Sequence, residues 1–144
     1  MTATVFVDTD VFLYALDDTN RAKQDAARNW RGVLWRERLG KVSYQVLSEF
    51  YVNALRMRPS LREEARAEVL DLLAWRPIPT DADLIGRGWK IQDRYHLSYW
   101  DCLIVAAAKV AACRYLLTED LQPGQKLDGV EVVSPFLADP ADLL

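Results

Sequence analysis

Five acidic residues sit in stretches that otherwise look built for burial. Asp8 and Asp10 lie in VFVDTDVFLYA, Glu49 in VLSEFYVNAL, Asp101 in SYWDCLIVAAA and Asp120 in LLTEDLQPG. An ionised carboxylate is rarely buried without a hydrogen-bonding partner or a cation. Several at close range hold on to their protons, and a hard divalent cation with oxygen ligands removes that conflict. Mg²⁺ or Mn²⁺ in such a set keeps positions open for water and phosphate. The ion then acidifies the water and stabilises charge on a phosphodiester. Each acid also has a plain structural reading. Asp8 and Asp120 suit strand-end turns, and Glu49 suits a solvated helix face. Asp101 fits the last position of a capping box begun by Ser98, a pattern that Thr80 and Asp83 repeat. Asp17, Asp18, Asp81, Asp83 and Asp93 read as caps and surface charge.

The elements that must carry these acids follow from pattern. Residues 4–7, TVFV, read as a short buried strand, and 11–16 continue apolar but turn helical. Asp18 or Thr19 opens a helix over 21–38, and Val42 and Ser43 suggest a short strand. A helix over 45–56 stops before Pro59. Ser60 caps the next, over 61–75, whose Leu61, Ala65, Val69, Leu72 and Leu73 share a face. Pro77-Ile78-Pro79 is extended, and Thr80 starts a helix to residue 95 that Gly86 and Gly88 weaken. Ser98 caps a helix to residue 112, apolar nearly all round and therefore central. Strands follow at 115–118 and 130–133, and PFLADPADLL reads as coil or a short turn. Strands alternating with helices predict an α/β fold with a mostly parallel sheet. Sites in such sheets form beyond the carboxyl ends of strands, where strand order reverses. Asp8 and Asp120 each follow a strand, so both should leave the same sheet edge.

The 144 residues suit one domain over 1–144 with one core, without repeats or linkers. An apolar share of 51% and a charged share of 27% describe a soluble, ordered chain. The net charge of −3 does not advertise a nucleic-acid binder, but setting four acids aside for a metal moves the remainder to +1. The sequence predicts neither a signal peptide nor a membrane span. Cys102 and Cys113, eleven residues apart on one helix, are too distant for a disulfide and fit a reducing cytoplasm.

Taken together, in order and spacing, the four quoted motifs resemble those of PIN-domain ribonucleases, and VapC toxins of bacterial toxin–antitoxin systems in particular. The resemblance runs over residues 5–136. It implies a three-layer α/β/α fold, Mg²⁺- or Mn²⁺-dependent endoribonuclease activity, an RNA substrate, a homodimer and a cognate antitoxin. It assigns catalysis and metal binding to Asp8, Glu49, Asp101 and Asp120. Thr118 matches a hydroxyl residue beside the last acid, in a supporting role, and the T-x-D pattern favours Asp120 over Glu119. The family commonly has Asn, Ser or Thr where this chain has Asp10. That extra carboxylate either binds a second metal through water or hydrogen-bonds the loop.

Other residues offer less. DTDVF also resembles the start of haloacid-dehalogenase-like phosphotransferases, with Asp8 as nucleophile, but Phe12 departs from that pattern and Glu49 is left without a role. A non-catalytic PIN-like binding module is the third reading. His96 reads as a surface or loop residue, and the chain has neither a G-x-S-x-G elbow nor a phosphate-binding glycine motif. Trp30, Trp35, Trp75, Trp89 and Trp100 read mainly as core or dimer surface. Seven basic residues between Arg21 and Lys41 form either a solvated helix face or an RNA-backbone track, which Arg56, Arg58 and Arg62 would extend.

Overall fold

A computed structural model describes residues 3–144. The predicted mostly parallel α/β architecture is present. Strands β1 (Val5–Val7), β2 (Gly40–Lys41), β3 (Tyr115–Leu117), β4 (Lys126–Leu127) and β5 (Val130–Val133) form one sheet in the order β2-β1-β3-β5-β4. β1 pairs in parallel with β2 and β3, β3 pairs in parallel with β5, and only β4 runs antiparallel. The central strands β1 and β3 are buried throughout, as their uncharged sequences require. From β1 the chain crosses outward to β2 and then returns to the far side of β1 as β3. The β1–β3 boundary is therefore where strand order reverses.

Helices α1 (Thr9–Leu16), α2 (Arg21–Glu37), α3 (Tyr44–Met57) and α4 (Arg62–Leu72) form one linked group, joined by α7 (Pro140–Leu143) against α2. Helix α5 (Ala82–Tyr95) lies on α6 (Tyr99–Val110), and α6 packs on β3 and β5. The result is three α/β/α layers. Cys102 to Ala108 of α6 are all buried, matching the central position that its all-round apolar sequence demands. Gly88 has a packing reason: a Cβ there would come within 2.9 Å of Leu103 Cδ2, so the missing side chain lets α5 approach α6. Both cysteines are buried and free. Among the described residues, no helix is long and apolar enough to cross a membrane.

Several expected boundaries move for identifiable reasons. Asn20 caps α2, because the Asp17 carboxylate instead takes the Thr19 amide and hydroxyl in a local turn. Ser43 is spent capping α3, so the edge strand lies earlier, at Gly40–Lys41, and Ser43 keeps a single bridge to Ile78. Ser60 caps nothing. It sits inside a 3₁₀ turn, Pro59–Leu61, that leads into α4. A second 3₁₀ turn, Leu73–Trp75, tightens the end of that segment and swings Leu73 out to 40% exposure. Asp81, not Thr80, caps α5. Strand β4 adds to the expected set, and Asp128-Gly129, with φ of 55° and 90°, is the hairpin turn that joins it to β5. The tail includes a short helix, α7, capped by Asp139.

Candidate metal centre and active site

The sheet register builds the site. Val7 and Leu117 are paired at the carboxyl ends of β1 and β3, and the Asp8 amide donates to Leu117 O at 3.0 Å. The residues after these strands, Asp8 and Thr118, consequently emerge side by side at the switch point. Asp8 caps α1: its Oδ1 accepts from the Thr9 amide at 2.7 Å. Its Oδ2 accepts from the buried Thr118 hydroxyl at 2.9 Å, and that hydroxyl accepts from the Asp120 amide at 3.0 Å. One hydroxyl thus orients two acids.

Asp10, one residue into α1, reaches the same place. Its Oδ2 accepts from the Glu119 amide at 2.8 Å, while its Oδ1 is buried and has no hydrogen-bonding partner among the described residues. One carboxylate oxygen from each of Asp8, Asp10 and Asp120 lies within 4.8 Å of the others. Glu119 turns away from this group, its carboxylate 2.8 Å from Lys23 Nζ. Of the two adjacent acids, Asp120 is therefore the one in the cluster, as the T-x-D pattern suggests.

Glu49 and Asp101 come from the helices. With Asp8, Asp10 and Asp120 they line a cleft of about 160 Å³. Glu49 Oε2 accepts from the Thr9 hydroxyl at 3.2 Å, and Oε1 accepts from Gln45 Nε2 at 3.0 Å. Gln45 is one helical turn earlier on α3, and Asn53, one turn later, also borders the cleft. At Asp101 only half of the expected capping box forms: Ser98 Oγ accepts from the Asp101 amide at 3.2 Å, and the Asp101 carboxylate has no return bond among the described residues. That carboxylate borders the cleft beside Trp100, which is 62% exposed.

Asp8, Asp10 and Asp120 hold their protons more tightly than free carboxylates do. Burial pushes Asp8 up to about 6, the Asp120 and Asp101 charges add to this, and the Thr9 and Thr118 hydrogen bonds oppose it. Burial pushes Asp10 up to about 8, helped by the charge of Asp8. Asp120 is also raised, by burial first and then by the charges of Asp101, Glu119 and Glu49. An all-oxygen donor set, mutual repulsion and one buried unpartnered oxygen fit a hard divalent cation.

The sequence reading directs Asp8, Glu49, Asp101, Asp120 and Thr118 to one site. The four acids line the cleft, and the Thr118 hydroxyl bonds two of the groups that form it. That reading assigns Asp10 a supporting place, whereas the geometry puts one of its carboxylate oxygens in the tightest group and leaves its buried Oδ1 without a hydrogen-bonding partner among the described residues. Thr9 and Gln45 escape it. The Gln45–Glu49 spacing of four is the visible signal for the second of these. His96 is exposed at the left-handed C-cap of α5.

The PIN domain family model matches residues 5–126. This chain belongs to the PIN domain family. No curated protein sequence matches it. Solved structures with a similar fold include a toxin–antitoxin complex from Klebsiella pneumoniae, with 19% identity over 92% of this chain and 98% of that one, and a TM-score of 0.64. FitAB bound to a DNA fragment has 21% identity over 94% and 98%, with a TM-score of 0.64. Mycobacterium tuberculosis VapC20, described as a sarcin-ricin loop cleaving toxin, has 18% identity over 78% and 87%, with a TM-score of 0.57. For a PIN domain the five-acid cleft lies at the expected switch point, and Glu49 has a place that the phosphotransferase reading denied it.

Proposed function

We propose that this PIN domain is a divalent-metal-dependent endoribonuclease and the toxin of a toxin–antitoxin pair. The observation that carries this reading is the meeting of Asp8, Asp10 and Asp120, one carboxylate oxygen of each within 4.8 Å of the others, in a group where Asp10 also keeps a buried oxygen without a hydrogen-bonding partner among the described residues. Asp8, Asp10 and Asp120 would hold Mg²⁺ or Mn²⁺, with Glu49 and Asp101 completing the acidic wall. A bound ion supplies Lewis acidity to a phosphodiester and lowers the pKa of a water.

The chain's own groups do the positioning. The Thr9 amide and the Thr118 hydroxyl fix both oxygens of Asp8. Gln45 and Thr9 hold Glu49 toward the cleft, where its carboxylate orients the attacking water. Attack by a metal-activated water, which needs no activation of the ribose 2′-oxygen, would leave 5′-phosphate and 3′-hydroxyl ends.

The RNA-cleaving and toxin–antitoxin descriptions of the similar structures support the substrate class and an antitoxin partner. A homodimer is supported by a groove of about 640 Å³ between α3 and α4, lined mainly by apolar side chains including Tyr51, Val52, Leu70 and Leu73. Leu70 is 68% exposed there, an arrangement suited to a second copy of the chain.

The deciding experiment compares Asp8→Asn with the parent in a nuclease-free preparation, in Mn²⁺ and in chelator. The parent cleaves RNA only with the ion. The variant folds and does not cleave. Metal-dependent cleavage by Asp8→Asn overturns the assignment, and a parent that neither binds Mn²⁺ nor cuts RNA supports the non-catalytic module instead.

A further inference from the structure

At the other end of the strands a second concavity, of about 540 Å³, has a different chemistry. Arg38, Lys41 and Arg76 border it, and so do Trp35 and Trp75. Among the described residues, no carboxylate lines it. Arg38 and Arg76 are exposed, and among the described residues neither they nor Lys41 forms an ion pair. Several basic residues elsewhere are committed: Lys23 to Glu119, Arg31 to Glu68, Arg58 to Asp18, Arg94 and Lys109 to Asp128. Arg38, Lys41 and Arg76 therefore set three positive charges without an ion-pair partner around one pocket.

The fold assembles the pocket from distant pieces. Arg38 ends α2 and Arg76 ends the 3₁₀ turn after α4, each with positive φ, 57° and 53°. The sharp reversals bring both side chains to the rim. Gly40 forms the base, and a Cβ on it would overlap the Trp75 indole, so only glycine admits that ring. Trp75 is nearly buried and Trp35 is 38% exposed. Their centroids lie 6.3 Å apart at 34°, and together they make an aromatic wall. Arg31 stacks on Trp35 at 4.6 Å and stiffens it.

Three free cations around an aromatic wall match one ligand chemistry, a nucleotide whose base lies on the indoles and whose flanking phosphates meet the cations. The volume suits a unit of that size. We propose that this pocket is a single-stranded RNA-binding exosite, separate from the acid cleft, in which Arg38, Lys41 and Arg76 hold the phosphates and Trp35 takes the base. The choice of RNA as the ligand rests on the nuclease reading above. The pocket's charge and shape do not. It is a more confined site than the broad basic track along α2, of which Arg31 is paired with Glu68.

The test uses the full chain in chelator, so that no cleavage occurs, and a fluorescein-labelled twelve-nucleotide oligouridine read by anisotropy. The Arg38→Gln, Arg76→Gln double variant should bind about tenfold more weakly, and the slope of log affinity against log salt should become shallower by about 0.7 for each phosphate no longer neutralised. Trp35→Leu, at a partly exposed position, should weaken binding several-fold without changing the salt slope, and should lessen the intrinsic fluorescence quenching on binding. Metal-dependent hydrolysis of bis(p-nitrophenyl) phosphate, too small to reach the pocket, should match the parent in both variants. Circular dichroism confirms folding, and Lys41→Gln serves if the double variant fails it. Unchanged RNA affinity and slope, or a pocket that binds polyglutamate but not RNA, overturns the proposal. A parent that binds oligouridine through this pocket but hydrolyses no phosphodiester leaves the exosite standing and removes the nuclease reading.

Discussion

Thr118 donates its hydroxyl hydrogen to Asp8 Oδ2 at 2.9 Å across 110 residues of sequence. The same oxygen of Thr118 accepts from the Asp120 amide at 3.0 Å. A fully buried hydroxyl therefore links the carboxyl ends of β1 and β3 and sets the direction of two acids at once.

Thr118→Val keeps the shape and removes both bonds. It leaves Asp8 Oδ2 and the Asp120 amide without this partner, so stability should fall by about 1–3 kcal/mol. Mn²⁺ affinity should fall by about 10- to 100-fold, as for other residues that orient ligands. Thermal unfolding and Mn²⁺ titration calorimetry measure the two effects. Thr118→Ser should recover most of both, and a Val variant with parental Mn²⁺ affinity would contradict the orienting role.

Asp10→Asn should separate stability from ion binding. At pH 8 the substitution removes a buried charge from a repelling group, so the metal-free protein should gain about 1–2 kcal/mol. Mn²⁺ binding should weaken by at least about tenfold, since a carboxylate ligand has become an amide. Differential scanning calorimetry in chelator and in Mn²⁺ should show opposite shifts in Tm relative to the parent. Shifts of the same sign would show that Asp10 is only a loop-tethering residue.

The metal-free protein should lose stability as pH rises from about 4 to about 8. Asp8 and Asp10 bind protons more tightly when folded, near 6 and near 8, than at the ordinary value of 3.8. Their favourable contribution is complete below 3.8, declines through that window and is gone above about 8. Asp8 alone accounts for on the order of 3 kcal/mol. Asp17 and Asp128 are held low, by hydrogen bonds from Thr19 and Lys109, so their stabilisation is lost only as pH falls below the window. Saturating Mn²⁺ should flatten the profile, because the ion favours the ionised acids. Melting curves between about pH 4 and 9, with and without Mn²⁺, measure this directly, and identical profiles would remove the ion from the cluster.

Leu70→Glu should shift the proposed homodimer toward monomer. Leu70 is 68% exposed on the rim of the α3–α4 groove, so the change costs the isolated chain little while placing a charge where a second copy would pack. Sedimentation velocity should show the lower mass at concentrations where the parent is dimeric, with an unchanged far-ultraviolet spectrum. A parent that is monomeric throughout would reassign the groove.

Local chemistry made much of this molecule legible. The uncharged runs at β1 and β3, the valine-rich β5 and the all-round apolar α6 could be read from pattern, because each signal lies within a few residues. The acids Asp8, Glu49, Asp101 and Asp120 stood out for a similar reason, as charges set among residues that bury. Beyond that the tertiary structure decided. Glu119 and Asp120 are neighbours, and only the Lys23 side chain, brought in by α2, draws one outward and leaves the other in the cleft. Asp10 looks like one more helix N-terminal acid until the β1–β3 pairing sets the Glu119 amide against one of its oxygens and seals the other without a partner. Periodicity and capping report what a side chain meets within one or two turns, whereas a cluster of like charges exists only where chain segments a hundred residues apart are held in register.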